Sequence, residues 1–495
     1  MTSDVLALED CYTIVKNYIN SENFRVISFK TSNYFDEVNG FLGEHVLLET
    51  EVDIDGEKIN HRFFLKRFPY GHQQQGEYLK SMDGWAREIY FYETLLPNLK
   101  GTLPGYTIDF VPQYLLGKLD DIMVFEDLSL KNYHMPRKPS LNLLDEDHIC
   151  LILKTLAKYH AGCLAFEEYK SAELGYEYRL FSGDEKLIQE PLVRREDGFL
   201  GYAWVKGGVK ALDALLAKVA PSGLSVDALR QKFRILVDKA LNLMKHQTKF
   251  RNVVCKGDMW AKNVMYKYIG DSTQPIEALL VDFQLIRYHV PAHDVLLFLS
   301  LTTDSAFRQR KFSFFMKYYH NHLKEELEKL QIAADDIQMS FDDYLKSVSY
   351  IMPEIKLQGA LQRLQQCGSK EFFIKLLNDK EEFIKFVFVD KTPFALELFD
   401  SDSNFRALLT EAVEELIETS QFPAVFREDC YRILEDELGT TTYELVGYKV
   451  TKYGKNEGSL HVLDIEVLFN RQSRKLSFLV KSEEFDFARV VKKIK

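Results

Sequence analysis

The sequence of 495 residues lacks the marks of several large classes of protein. Its six cysteines are scattered with no CxxC pair, which argues against a disulfide framework or a zinc site and indicates reduced thiols inside a cell. No apolar run reaches the roughly 18–20 residues that span a bilayer, and the acidic N-terminus is unlike a signal peptide. The formal net charge of −11 is unlike that of a nucleic-acid binder. We therefore expect a cytoplasmic protein that binds neither membrane nor nucleic acid.

The order of predicted elements divides the chain into unequal parts. A helix at 8–19 precedes three strands, a helix at 83–99 that we expect to stop at Pro97, and a strand at 121–128. The sequence after residue 128 is mostly helical, with strand-like stretches at 253–268 and 277–288. The pattern predicts an α+β protein in which a small β-rich part, 1–128, precedes a larger helical part, 129–420.

The segment CKGDMWAKNVMYK, followed by ALLVDFQ, carries the strongest chemical signal. Asp258 and Asn263 are five residues apart, and Asp282 follows the apolar run ALLV. Phosphoryl transfer from ATP needs a carboxylate that orients the attacking hydroxyl, and an Asn and a second Asp that hold magnesium. Protein kinases space these residues in the same order. An Asp-x-x-x-x-Asn pair alone arises easily by chance, but an Asp-Phe after a buried strand makes the combination far rarer.

Parts of a nucleotide site also occur nearer the N-terminus. Lys66 ends the apolar strand FFLK, and Glu88 lies 22 residues later on the following helix, as in the lysine–glutamate pair of kinase folds. Gly40 and Gly43 lie between the first two strands, where a loop that covers phosphate belongs, although the full GxGxxG pattern is missing.

The short stretch FEDL, 125–128, is a candidate contact for the adenine ring. The backbone of Glu126 to Leu128 lies where the chain would cross between the two parts of the protein. An ordinary strand end is the alternative interpretation, and the sequence does not separate the two.

These segments resemble the ecdysteroid-kinase-like (CHK kinase-like) family, which is similar to choline kinases and aminoglycoside phosphotransferases. The resemblance covers about residues 8–420 and rests on CKGDMWAKNVMYKY, VDFQLIRYHVPAHDVLLFL, FFLKRF, REIYFYETLLP, MVFEDL and LAKYHAG. It implies a two-lobed protein-kinase-like fold, with a small β-rich N-lobe and a larger, mainly helical C-lobe. It also implies transfer of the ATP γ-phosphate to a hydroxyl of a small acceptor, with ecdysteroid-like steroids among the candidates.

The resemblance also assigns roles to residues of this chain. Asp258 becomes the catalytic base, Asn263 and Asp282 the Mg²⁺ ligands, Lys66 and Glu88 the nucleotide ion pair, and Asp294 a structural residue. The family pattern reads His-Gly-Asp, whereas Lys256 stands in the histidine position here. We expect lysine to be unable to copy the histidine geometry and to pair with Asp282, turn to solvent or contact phosphate. The alternative to an active kinase is therefore a weakened pseudokinase that acts as a nucleotide-binding or scaffold protein.

The substrate class follows from the short stretch after Asp282. Protein kinases carry a long activation segment that ends in Ala-Pro-Glu. Here the segment before Ala292 is short and no Ala-Pro-Glu follows, so little room is left for a peptide platform. A small-molecule hydroxyl acceptor is favoured, and the sequence does not distinguish a steroid from a choline-like compound.

The C-terminal segment repeats the beginning of the chain. EDCYTIVKNYINSENFRVISFK (9–30) aligns without gaps to EDCYRILEDELGTTTYELVGYK (428–449). After a shortened loop, HVL at 45–47 matches HVL at 461–463, and FFLK (63–66) matches FLVK (478–481). We expect residues 421–495 to form a partial repeat of the N-lobe, a helix plus strands. It would dock on the rest of the chain or on another chain, unless the sequence is a truncated copy of a longer tandem protein.

Overall fold

The computed structural model describes residues 6–34, 43–137, 142–196, 198–366, 372, 376, 379–421, 427–440, 443–452, 460–470, 472–481 and 489–494. In the first part, α1 packs on one face of a five-stranded antiparallel sheet of order β1-β2-β3-β5-β4. Its elements are α1 (Leu8–Ile19), β1 (Arg25–Asn33), β2 (Glu44–Ile54), β3 (Glu57–Arg67), β4 (Tyr114–Lys118) and β5 (Ile122–Glu126).

The helical segment between β3 and β4 differs from the prediction. It runs through α2 (Gln73–Ser81), α3 (Gly84–Tyr90) and α4 (Leu96–Thr102), so the expected stop at Pro97 is wrong. A π-helical turn, Phe91–Leu95, joins α3 to α4 and places Pro97 in the first turn of α4. The Leu96 N–H bonds to the Phe91 carbonyl, five residues back, so the regular α-helical ladder that a proline would break is already interrupted before Pro97.

The region after β5 is mainly helical. Two small sheets accompany the helices, one of order β6-β8-β9 and one that pairs β7 with β10. The strands are β6 (Tyr133–His134), β7 (Val253–Cys255), β8 (Val264–Tyr268), β9 (Pro275–Leu280) and β10 (Arg287–His289). The helices are α5 (Glu146–Leu174), α6 (Leu180–Ile188), α7 (Leu200–Val219), α8 (Val226–Leu243), α9 (Ala292–Thr302), α10 (Ser305–Lys329), α11 (Phe341–Gln366), α12 (Lys380–Ile384), α13 (Thr392–Ser401) and α14 (Ser403–Gln421). The described chain is therefore an α+β protein, as predicted.

Helix α5 is long and apolar enough to span a membrane by length and composition alone, contrary to the expectation that no such run exists. The apolar window of α5 is 72% buried inside the protein. Its Glu167 is buried as well and accepts hydrogen bonds from the Leu180 N–H at 2.8 Å and the Tyr288 hydroxyl at 2.7 Å. A helix with these contacts is the core helix of this fold.

The C-terminal segment forms a helix, α15 (Arg427–Leu438), and a four-stranded antiparallel sheet with a hydrophobic core of its own. The strands are β11 (Glu444–Lys452), β12 (Leu460–Phe469), β13 (Gln472–Lys481) and β14 (Arg489–Lys493). The β1–β2 pair has a bulge between Val26 and Ser28, and the β11–β12 pair has one between Leu445 and Gly447, at the aligned position.

The strand register corrects one part of the sequence alignment. His45 lies opposite Lys66, whereas the residue opposite Lys481 is Leu460. His461 therefore corresponds to Val46, and the match of the two HVL triplets is wrong by one residue. A slip of one residue would move every side chain of a strand to the other face of the sheet, so the buried pattern decides the register.

The C-terminal unit is fastened to the helical region by buried polar contacts. Lys356 on α11 donates to Glu428 on α15 at 2.6 Å and to Glu415 on α14 at 3.0 Å. The Tyr431 hydroxyl donates to Gln309 on α10 at 3.2 Å. Lys356 is 8% exposed and Glu428 is 3% exposed, so the contact is dry.

We expect Lys356→Met to destabilise the protein by roughly 3–5 kcal/mol, because Glu415 and Glu428 would lose a buried counter-charge. The measurement is the thermal unfolding curve of the full chain. Lys346→Met is the matched control on the same helix, since Lys346 forms a more exposed pair with Asp342 at 2.7 Å. Equal losses in the two variants would contradict a stabilising role of the buried contact.

Candidate active site

Three predicted residues meet where β3 faces α3 and the end of β9. Lys66 Nζ lies 2.6 Å from Glu88 Oε2 and 3.1 Å from Asp282 Oδ1. The other oxygen of Glu88 accepts the backbone N–H of Phe283 at 3.2 Å. The Phe283 ring stacks on Phe91 with 3.6 Å between the ring centroids. Glu88 therefore fixes both the lysine and the backbone that carries Asp282.

Lys66 and the carboxylates beside it favour one another's charged forms. Burial opposes the charge on Lys66, but the attraction of Asp282 and Glu88 outweighs it and raises the pKa of the ammonium group. Burial would raise the pKa of Asp282, yet the nearby Lys66 and Lys256 lower it. Asp282 thus remains an ionised carboxylate, and its side chain is 33% exposed.

Asp258 and Asn263 form the second part of the site. The Asn263 amide donates to the Asp258 carboxylate at 2.7 Å and to its backbone carbonyl at 3.0 Å. The Asn263 carbonyl accepts the N–H of Val281 at 3.2 Å, which ties the loop to the strand before Asp282. Burial raises the pKa of Asp258, partly offset by Lys256. A carboxylate with a raised pKa is a stronger base than an exposed aspartate.

Lys256 does not behave as the sequence led us to expect. Its ammonium donates to the backbone carbonyls of Asp258 and Asp282, both at 2.8 Å. It is fully buried, so it has not turned to solvent. Because the bonds go to carbonyls, the lysine braces the two motif aspartates without covering their carboxylates. Of the three arrangements expected for Lys256, the described contacts show neither a hydrogen bond to the Asp282 carboxylate nor a turn to solvent, and contact with phosphate stays a prediction.

Asp294 holds the start of the same loop, as the expected structural role requires. Its carboxylate accepts the N–H groups of Lys256 at 2.6 Å and Gly257 at 2.9 Å, and lies 3.2 Å from His160 Nε2. Gly257 has φ +81°, and a Cβ there would lie 2.0 Å from the Leu285 carbonyl oxygen. Only glycine fits this turn.

The remaining predicted nucleotide contacts are distributed unevenly. Gly43 lies beside Lys66, because a Cβ on it would be 3.4 Å from the Lys66 side chain. Gly40 lies outside the described residues. The Glu126 N–H donates a hydrogen bond to the Gln113 carbonyl at 3.0 Å, so it is already used within the protein. Leu128 begins a short 3-10 helix, Leu128–Lys131, where an N–H has no acceptor within the helix.

Among the described residues, His160, Cys255 and Asp294 are grouped closely enough to hold a metal ion. The Cys255 thiol donates to the Val290 carbonyl at 3.4 Å, and His160 also contacts the Tyr319 hydroxyl at 2.7 Å. These side chains already have protein partners, so we assign the group a structural role. None of the five described cysteines forms a disulfide (Cys11, Cys150, Cys163, Cys255 and Cys430).

Gln362 on α11 also lies at this site, and the sequence did not predict it. Its amide nitrogen lies 3.3 Å from Asp258 Oδ1, although 104 residues separate the two in the chain. No local motif marks this glutamine, and only the packing of α11 brings it to the site.

The donor set fits a magnesium ion. Asn263 and Asp282 supply amide and carboxylate oxygens, the hard ligands that Mg²⁺ prefers, and their segments are joined by the Val281–Asn263 hydrogen bond. Lys66 occupies only one oxygen of the partly exposed Asp282.

A known family matches the part of the chain that carries this site. The sequence model of the ecdysteroid kinase-like family matches residues 43–332, more than half of the chain. The matched range contains Lys66, Glu88, Asp258, Asn263 and Asp282. No curated protein matches the chain.

We expect Lys256→Met to lower the melting temperature, at a cost of roughly 2–4 kcal/mol, because two buried carbonyls would lose their donor. Lys267→Met, which removes a partly exposed pair with Glu277 from the neighbouring strand β8, is the control and should cost under about 1 kcal/mol. An unchanged or higher melting temperature of Lys256→Met would show that the ammonium does not brace the loop.

Proposed function

The chain belongs to the ecdysteroid kinase-like family, and we propose that it transfers the γ-phosphate of ATP to a hydroxyl of a small molecule. The observation that carries the proposal is the meeting of Lys66, Glu88 and Asp282 beside the Asp258–Asn263 loop. We propose further that the β-rich part and the helical part are the two lobes of a kinase-like fold. ATP would lie between them, with Gly43 near its phosphates and the backbone at Glu126 to Leu128 near its adenine ring.

The residues divide the reaction between them. Lys66, held by Glu88, binds phosphate oxygens of the nucleotide. Asn263 and Asp282 would hold Mg²⁺, which would supply positive charge to neutralise the phosphates. Asp258 accepts a hydrogen bond from the acceptor hydroxyl and takes its proton as the oxygen–phosphorus bond forms. The bond from the γ-phosphorus to the β-γ bridging oxygen breaks, and that oxygen leaves with ADP.

Lys256 supports an active enzyme over a pseudokinase in this proposal. Its ammonium bonds to the carbonyls behind Asp258 and Asp282, so both carboxylates stay available for chemistry. A lysine paired with the Asp282 carboxylate would instead compete with the metal ion.

The acceptor in this proposal is a small molecule. After Asp282 the chain enters β10, which pairs with β7, and α9 begins at Ala292. Most residues of this short path are buried, which leaves little room for a peptide platform. The family description makes hydroxylated steroids of the ecdysteroid type the first acceptors to examine.

A Mg·ATP titration of the melting temperature tests the nucleotide site. At about 100 times its Kd, Mg·ATP should add roughly 2.7 kcal/mol of stability to the wild type and raise the melting point by a few degrees. Asp282→Asn should lose the magnesium-dependent part of the shift. Asp258→Asn should keep the shift and lose phosphate transfer to ecdysone. A wild type without any shift, or an Asp258→Asn variant with full transfer, would contradict the proposal.

The pH dependence of kcat/KM tests the base. The carboxylate form of Asp258 accepts the proton, so activity should fall as the pH drops through its pKa, which burial raises. The acid limb of the profile should therefore lie above the range of an ordinary aspartate. A limb at or below that range would argue against Asp258 as the base.

A further inference from the structure

Helix α11 carries a row of buried polar residues that ends beside Asp258. Glu354, Gln358 and Gln362 follow one another at intervals of four and therefore share one face of the helix. Their exposed fractions are 0%, 0% and 7%. The row lies beyond residues 43–332, the range that the family model matches.

The first two residues of the row have protein partners. Glu354 lies 3.3 Å from His289 Nε2 and 3.4 Å from His293 Nε2. Gln358 Oε1 lies 3.2 Å from His293 Nε2. These contacts join α11 to β10 and α9, and they account for Glu354 and Gln358 as structural residues.

Gln362 is different because it contacts Asp258 and half of its amide is unused. Gln358 Nε2 is also without a hydrogen-bond partner among the described residues, but the contact of Gln358 is with His293. Its nitrogen donates to Asp258 Oδ1 at 3.3 Å, while Asn263 holds the other oxygen of that carboxylate at 2.7 Å. A carboxylate only accepts hydrogen bonds, so the nitrogen of the glutamine faces Asp258 and Oε1 is the free end. Oε1 is buried and accepts no hydrogen bond from any residue that the structure describes. A buried acceptor of this kind calls for a donor.

We propose that Gln362 binds the acceptor substrate and selects one with a second hydrogen-bond donor beside the reacting hydroxyl. The inference rests on the proposed phosphotransfer. The proton of the reacting hydroxyl goes to Asp258, so the donor that satisfies Gln362 Oε1 must be a different O–H or N–H group. Diols and other polyols meet this demand, and a simple monoalcohol does not. Water meets it too, since it has one hydrogen for Asp258 and one for Gln362.

The test uses two probes with the full chain: water, followed as ATP hydrolysis without an added acceptor, and ecdysone, a steroid with several hydroxyls. Gln362→Leu should lower both rates by roughly tenfold, the value of one hydrogen bond. Its melting-point shift with Mg·ATP should stay that of the wild type. Gln365→Leu is the matched control on the same helix, because Gln365 accepts from Trp204 Nε1 at 2.7 Å and does not contact Asp258. It should keep both rates.

A third probe, a steroid with a single hydroxyl, supplies a readout that a merely structural role would not move. The wild type should favour ecdysone over this probe by roughly tenfold in kcat/KM, and Gln362→Leu should lose that preference. Gln362→Met, which also lacks the acceptor oxygen, serves if Gln362→Leu fails to fold.

The outcomes separate the two proposals. If Gln362→Leu keeps both rates, or if it keeps the preference for ecdysone over the steroid with a single hydroxyl, Gln362 does not bind the acceptor while the proposed kinase activity stands. If the wild type itself neither hydrolyses ATP nor phosphorylates ecdysone, the proposed function fails, and the role of Gln362 fails with it.

Discussion

The structure of the site depends on one buried charge, the ammonium of Lys256. It draws together the carbonyls of Asp258 and Asp282, which belong to segments that pack side by side but are 24 residues apart in the chain. Burial lowers the pKa of this lysine, so its charge is costly to keep. The neighbouring Asp258, Asp282 and Asp294 carboxylates offset that cost. The loop is thus held by a balance between desolvation, which opposes the charge on Lys256, and the attraction of these carboxylates.

A second layer of contacts makes this balance possible. Asp294 binds the consecutive backbone N–H groups of Lys256 and Gly257, so the lysine enters the site from a fixed direction. Glu88 does the same for the other segment through the N–H of Phe283. Both carboxylates accept hydrogen bonds from backbone N–H groups. These donors stay the same whichever side chains the neighbouring residues carry. This explains how a lysine is accommodated at position 256: Asp294 and Glu88 position the backbone around it through bonds that do not involve the lysine side chain.

Much of the site was predictable because its residues lie near one another in sequence or carry a known spacing. Asp258, Asn263 and Asp282 follow from their intervals, and the structure also brings Lys66 to Glu88. The bonds of Lys256 were not predictable, since side-chain direction depends on packing that no motif records. Gln362 was not predictable either, because 104 residues separate it from Asp258. The predicted end of the helix at Pro97 was wrong because a π-helical turn precedes the proline and the helix continues to Thr102.

The C-terminal unit shows where sequence identity and structural correspondence part. The bulge in β11 reproduces the bulge in β1, yet the identical HVL triplets are not equivalent, since loop length is free to change while the buried face of a strand is not. The edge of the third strand differs as well. β3 pairs with β5, which arrives after three helices, whereas β13 pairs with β14, which follows it directly in the described chain. A strand without that neighbour would expose unpaired backbone groups. In the C-terminal unit, β14 pairs with the edge of β13. Among the described residues of this unit, no helix corresponds to α3, which carries Glu88 in the first part of the chain.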